Sequence, residues 1–251
     1  MSTLRPIVIS LAGFDPTSGA GFTADIKTFE NHCVYGMAVL TANTIQTEES
    51  FVTIRWEDRV YISQQLTCLF QHYTVAAVKI GIIPCIEDLL IYVNLIKQLS
   101  PKTPIIWDPV LKSSSDFDFT TIDPAKVYQE ILSKITLITP NYLEVHQFVH
   151  NQSDAIQKAQ YLSKYCAVLL KGGHNSNALG FDYFIDNEKI TTLSPSTLSD
   201  YPKHGSGCIL SSAITANIAK GNSLIESIKK AKTYIESYLN SNHTLLGYHV
   251  R

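Results

Sequence analysis

A chain of 251 residues, 45% of them apolar, can bury a core without disulfides or metals, and its formal net charge of −2 excludes the basic excess of a nucleic-acid surface. Nowhere does an apolar run reach the about 18 residues that a membrane-spanning helix needs. The cysteines Cys33, Cys68, Cys85, Cys166 and Cys208 form no C-x-x-C pair. The first four are therefore expected to pack as small apolar side chains in a reducing cytoplasm, and Cys208 is set apart by its motif.

In chain order, the opening apolar stretch follows Arg5 and runs into a turn with no cleavage-type site, so residues 7–13 (IVISLAG) read as a strand and not a signal peptide. A weaker run, 37–42, follows, then 75–81 (VAAVKIG), 104–110 (PIIWDPV), 135–141 (ITLITPN) and 167–173 (AVLLKGG). Between them the apolar positions take helical spacing: Phe22, Ile26, Phe29 and Cys33; Ile62, Leu66, Leu69 and Tyr73; Ile86, Leu89, Val93 and Ile96. Runs apolar on both faces, alternating with helices, predict one α/β domain over 1–251, with a mostly parallel sheet covered on both sides. Residues 180–186 and 189–193 flank Asn187-Glu188 as a hairpin. Two helices close the chain, one with Leu210, Ala213, Ile214 and Ile218, the other with Leu224, Ile228, Ala231, Ile235 and Leu239.

Ligands of such sheets bind beyond the carboxyl ends of the strands. Polar residues and glycines gather there: Gly13-Phe14-Asp15, Lys79-Ile80-Gly81, Trp107-Asp108-Pro109, Asn141 and Lys171-Gly172-Gly173-His174. The motif His204-Gly205-Ser206-Gly207-Cys208 opens an apolar helix, whose first amides attract phosphate; on this motif alone a plain loop-to-helix turn is the alternative. The segment 15–21 (DPTSGAG) is a phosphate cradle, an acceptor loop or a flexible turn, and it lacks the lysine and spacing of a Walker loop. Asn141 and Glu144 read as a capping pair or as a Mg²⁺ carboxylate with its neighbour. Lys171 is a phosphate-binding point charge or a lysine reaching for water, and His174 reads as structural.

Together the segments LAGFDPTSGAGFTADIKTF, VYGMAVLTANTIQT, VKIGII, DPVLKSSS, ITPNYLEV, LLKGGH and HGSGC resemble, in family order, the hydroxymethylpyrimidine/phosphomethylpyrimidine kinases of the ribokinase-like superfamily. That resemblance covers residue 7 to about 215 and implies ATP, Mg²⁺ and two successive phosphorylations of a pyrimidine alcohol in thiamine biosynthesis. It implies that Gly13 and Gln46 contact the pyrimidine, that Asp15, Ala20 and Asp25 belong to the acceptor loop and helix, and that Ile82 and Val110 line the ring pocket. Glu144 is implied near the metal, Asn141, Lys171 and Gly173 on the nucleotide side, and the backbone of Gly205, Ser206, Gly207 and Cys208 as an anion hole. A homodimer is implied as well. Phe14, Thr17-Ser18 and Ile82 depart from the residues usual in the family, in or near the pocket wall. A pyridoxal or dual-substrate kinase and a non-catalytic binding protein on the same fold are the competing readings.

Where sugar kinases of the superfamily resemble G-x-G-D, this chain has Cys208. A helix N-terminus is expected to lower its pKa from about 8.5 toward neutrality, which makes a thiolate base available. The second phosphorylation needs no base, because a phosphate monoester with its second pKa of about 6 is already anionic.

Overall fold

Residues 4–111, 130–149, 152, 154–174 and 178–249 are described by the computed structural model. Strand β1 (Ile7–Phe14) carries Ser10 as its one polar side chain and is buried along nearly its whole length, which suits a central position. Its partners on either side, β2 (Tyr35–Gln46) and β4 (Val75–Ile80), run parallel to it. The parallel sheet continues through β5 (Ile105–Trp107), β6 (Leu137–Ile138) and β7 (Ala167–Leu170). At one edge β3 (Phe51–Trp56) lies antiparallel to β2; at the other, β8 (Asp182–Asp186) and β9 (Lys189–Leu193) form an antiparallel hairpin. Among the described residues nine strands make one sheet in the order β3-β2-β1-β4-β5-β6-β7-β8-β9.

Alternate residues of the middle strands feed two different cores. Ile105, Trp107, Ile138, Val168 and Leu170 face a cluster shared with helices α2 (Arg59–His72), α3 (Ile86–Leu99), α4 (Val145–Phe148) and α5 (Ala155–Leu162). Ile106, Leu137, Ala167 and Leu169 face the opposite cluster, built with α1 (Gly21–Asn31), α6 (Ser206–Ala219) and α7 (Leu224–Leu239). A pleat of period two between helical layers demands this sequence, so the double-sided apolar runs are the cause of the three-layer architecture. No helix of the described residues is long and apolar enough to cross a membrane.

The expected strands are present, but those at 104–110 and 135–141 shorten to three and two paired residues because their polar ends turn out into the rim. The expected hairpin holds Asn187 and Glu188 at φ 48° and 65°, the left-handed pair that matches strand twist. Strand β3 was not expected: it is an edge strand whose Val52 is 67% exposed, so its sequence shows little apolar signal. Two cysteines correct the packing expectation. Cys33 lies past the end of α1, exposed at φ 58°, since the helix stops at Asn31 before the apolar spacing runs out. Cys68 faces outward on α2, whereas Cys166 is buried as expected.

Candidate active site

Helix α6 begins at a turn that only glycine can make. Gly205 has φ 70°, and a Cβ there would stand 2.1 Å from the carbonyl oxygen of Gly19. At Gly207 a Cβ would stand 3.2 Å from Lys171 Nζ, so the ammonium lies against the first turn of the helix. The opening amides of a helix have no intrahelical acceptor and carry the positive end of its dipole. With Lys171 beside them, the turn at 205–208 is built to hold an anion.

Lys171, just past β7, donates to Asp108 Oδ1 at 2.7 Å and lies 3.8 Å from Glu144 Oε2. Asp108, just past β5, is fully buried and also accepts from Thr139 Oγ1 at 2.9 Å and Ser211 Oγ at 3.1 Å. Burial pushes its pKa up, but Lys171 and Lys79 outweigh burial and leave it below the usual carboxylate value. Glu144 fares differently. Burial, helped by the negative charge of Asp108, pushes its pKa up to about 7 against the opposing pull of Lys171 and the Asn141 amide. Asn141 Oδ1 accepts from the Glu144 amide at 2.8 Å while Glu144 Oε2 accepts from the Asn141 amide at 2.7 Å, so the capping pair is real. Asn141 also bridges Lys171 across the ends of two strands. Gly173 is exposed, and among the described residues beyond its chain neighbours no atom lies within 4 Å of the place a Cβ would take.

Among the described residues no cluster of three His, Cys, Asp or Glu could hold a metal unaided. Glu144 is the carboxylate of this cluster that would hold a Mg²⁺ ion, through water and in company with phosphate oxygens. The buried carboxylate of Glu144, its ionisation disfavoured by the site, is a donor that such a cation would favour.

Behind this layer lies a second buried ion pair. Lys79 Nζ donates to both oxygens of Asp25, at 2.8 and 2.9 Å, and neither side chain is exposed. Ser10 Oγ and Ser212 Oγ donate to the same carboxylate at 2.5 and 2.6 Å. Burial pulls the Lys79 pKa down, but the charge of Asp25 outweighs it and the group stays protonated. Asp25, expected at the acceptor, thus sits in the interior beneath the rim.

Cys208 overturns the thiolate expectation. Burial pushes its pKa up to about 11, with Asp108 and Asp25 adding to the rise and Lys79 and the Gly21 amide opposing it. Burial and the two nearby carboxylates outweigh Lys79 and the Gly21 amide. Cys208 is a neutral thiol near pH 7.

The remaining expected residues lie at strand ends or in the segments that follow them. Asp15, buried, organises its own loop by accepting from the amides of Thr17 and Ala20, each at 2.9 Å. Gly13 lies against Ile82, whose Cδ1 would be 2.4 Å from a Cβ there, and Gly21 packs on the Gly13 carbonyl. Gln46 ends β2, which is tied to β1 by Thr44 Oγ1 donating to Phe14 O at 2.7 Å. Val110, half-buried, hangs from Asp108 through its amide, at 2.9 Å from the Asp108 carbonyl oxygen. Lys79 and Asp108 were expected only as polar residues at the strand ends, with no role given to either, and Ser211 and Ser212 were not expected at the site. A lysine inside the apolar run of β4 is the signal that could have exposed the first, because a buried ammonium requires a partner.

The phosphomethylpyrimidine kinase family profile matches residues 15–250. The hydroxymethylpyrimidine/phosphomethylpyrimidine kinase of Aquifex aeolicus is 31% identical over 253 residues, which span 97% of this chain and 98% of that relative. The crystal structure of phosphomethylpyrimidine kinase from Clostridium difficile superposes with a TM-score of 0.76 at 28% identity, covering 92% of this chain and 98% of that one. The ADP complex of Bacillus subtilis pyridoxal kinase superposes at 0.80 with 26% identity, covering 93% of this chain and 91% of that one.

Proposed function

Because the chain belongs to the phosphomethylpyrimidine kinase family, we propose that it moves the terminal phosphoryl group of ATP onto 4-amino-5-hydroxymethyl-2-methylpyrimidine and then onto the monophosphate so formed. It is a phosphotransferase on the ribokinase-like α/β fold. The observation that carries the reading is the ammonium of Lys171 lying against the glycine turn that opens α6, with Asp108 fixing it at 2.7 Å.

Phosphoryl transfer proceeds through a loose transition state, so the protein's work is alignment and charge stabilisation. The backbone of Gly205, Ser206, Gly207 and Cys208 receives the migrating group, and Lys171 holds its charge from the side. Asn141 and Gly173 border the nucleotide, and Glu144 would hold Mg²⁺ through water; when bound, that ion neutralises charge on the phosphates. Gly13, Gln46, Ile82 and Val110 form the ring pocket, floored by Ala20 and the loop that Asp15 shapes. Asp25 acts from beneath, through Lys79 and α6.

A neutral Cys208 suits the second half-reaction. A carboxylate at its place would repel the phosphate monoester, while a protonated thiol does not. The chain works as one domain, in the cytoplasm, as a homodimer; sedimentation equilibrium tests the last of these.

Mass spectrometry of products from ATP, Mg²⁺ and the pyrimidine alcohol tests the activity, the expected result being both mono- and diphosphate. Pyridoxal offered in competition separates the two vitamin kinases, and phosphorylation of pyridoxal in preference to the pyrimidine would overturn the assignment.

A further inference from the structure

Two segments distant in sequence, the loop 15–20 and the turn 203–207, meet through one side-chain pair. His204 Nε2 lies 2.9 Å from Asp15 Oδ2, with only 7% and 1% of the two side chains exposed. Burial pushes the Asp15 pKa up, but the bonds from His204 and Thr17 outweigh it and keep the group ionised. A carboxylate only accepts, so Nε2 carries the hydrogen. Through its other bonds Asp15 sets the amides of Thr17 and Ala20.

A third segment closes over the pair. The His204 amide donates to the Leu245 carbonyl at 2.9 Å, and Lys203 Nζ donates to the carbonyls of Asn242 and Thr244, both at 2.7 Å. A Cβ on Gly19 would stand 2.7 Å from Leu246 Cδ2 and 2.8 Å from His204 Cδ2. With Gly205 pressed on the Gly19 carbonyl, the three segments interlock without slack.

We infer that the Asp15–His204 pair, latched by residues 242–246, is a clasp that sets the gap between the acceptor loop and the phosphoryl-binding turn. The inference rests on the kinase reading, because the gap matters only if a phosphoryl group crosses it. His204 is then a positioning residue acting through Asp15. Misplacement of reacting groups by about 1 Å costs on the order of a hundredfold in rate, so a small hinge here has a large effect.

The test compares His204→Ala, His204→Gln and the unaltered chain. His204→Ala is expected to keep its KM for ATP, to lose about tenfold to a hundredfold in kcat, and to release more ADP than phosphorylated product as water replaces a misaligned acceptor. His204→Gln, whose amide N–H reaches the carboxylate, is expected to regain most of the rate and the one-to-one ratio. Hydrogen exchange at the Thr17 and Ala20 amides should quicken in the Ala variant and not in the Gln variant. A kcat within twofold of the unaltered chain, or unchanged exchange, overturns the clasp. Should His204→Ala fail to fold, Asp15→Asn carries the same expectations and the same refutation, because an isosteric amide must turn its NH₂ against the amide of Thr17 or Ala20. If the unaltered chain makes no pyrimidine phosphate, the kinase reading fails and the exchange comparison decides the clasp by itself.

Discussion

Ser211 and Ser212 are neighbours on helix α6, yet their hydroxyls donate to different buried aspartates, Asp108 at 3.1 Å and Asp25 at 2.6 Å. Each aspartate holds its own lysine, Lys171 at 2.7 Å and Lys79 at 2.8 Å. The helix that opens the anion turn is thereby fastened to β4 through one ion pair and to the ends of β5 and β7 through the other. The Lys79–Asp25 pair lies behind the turn with neither side chain exposed, whereas the Lys171–Asp108 pair lies beside it and presents the ammonium to the anion site.

The deeper pair should be costly to break. Lys79→Met leaves the Asp25 carboxylate buried with only Ser10 and Ser212 to satisfy it, and an uncompensated buried charge costs about 3–5 kcal/mol. Adding Asp25→Leu should recover part of that loss, since no charge then remains. Urea unfolding of the single and double variants measures both. A single-variant loss below about 1 kcal/mol would show that the pair is not what holds α6 in place.

Glu144 caps its segment and, in the function proposed above, also faces the metal, and one substitution can part the two. Glu144→Gln keeps an oxygen for the Asn141 amide, so the capping geometry and the thermal midpoint should change little. It removes the charge that the proposed function turns toward Mg²⁺, so kcat should fall at least tenfold and the Mg²⁺ concentration needed for half-maximal rate should rise. A variant with full activity would leave the cap as the residue's whole function.

Much of this was legible in the sequence, and the reason is periodicity. Strands buried on both faces, such as Ala167–Leu170, must be continuously apolar, so they announce themselves. The edge strand Phe51–Trp56 buries too little to leave such a trace. At the site, glycines that tolerate no side chain and the Asn141–Glu144 pair were readable because their constraint is local. The partners of Lys79 and Asp108 were not, since Asp25 and Lys171 come from elements 54 and 63 residues away and only the sheet order brings them together. The thiol of Cys208 was misjudged for the same reason: its motif shows the helix terminus but not the burial or the two carboxylates nearby.

Replacing that thiol tests the charge argument directly. Cys208→Asp places a carboxylate at the turn, where it repels a phosphate monoester more than an uncharged alcohol. The second phosphorylation should drop at least tenfold more than the first, about 1.4 kcal/mol of added barrier. In Cys208→Ala the two steps should fall by similar factors, because a protonated thiol supplies no base to either. Separate assays of alcohol and monophosphate as acceptors decide this, and a selective loss of the alcohol step in the Ala variant would restore the base.

The C-terminal segment should make stability depend on pH. His249 Nδ1 and Tyr234 Oη share a hydrogen bond of 2.7 Å, and that hydroxyl accepts from Asn31 Nδ2 at 3.0 Å. Burial foremost, with the positive charges of Lys27 and His32, pushes the His249 pKa down to about 4. The unfolded imidazole titrates near about 6.5, so between the two values the unfolded chain binds the extra proton. Stability is therefore complete above the unfolded pKa and is lost as pH falls toward the folded one. Burial shifts His32 in the same direction, so it adds to the loss. Urea midpoints should drop between about pH 7 and about pH 5, and His249→Phe should flatten that drop while costing a little at the higher pH through the lost Tyr234 bond. An equal drop in the variant would mean that His249 titrates alike in the folded and unfolded chain and is not the source of the pH dependence.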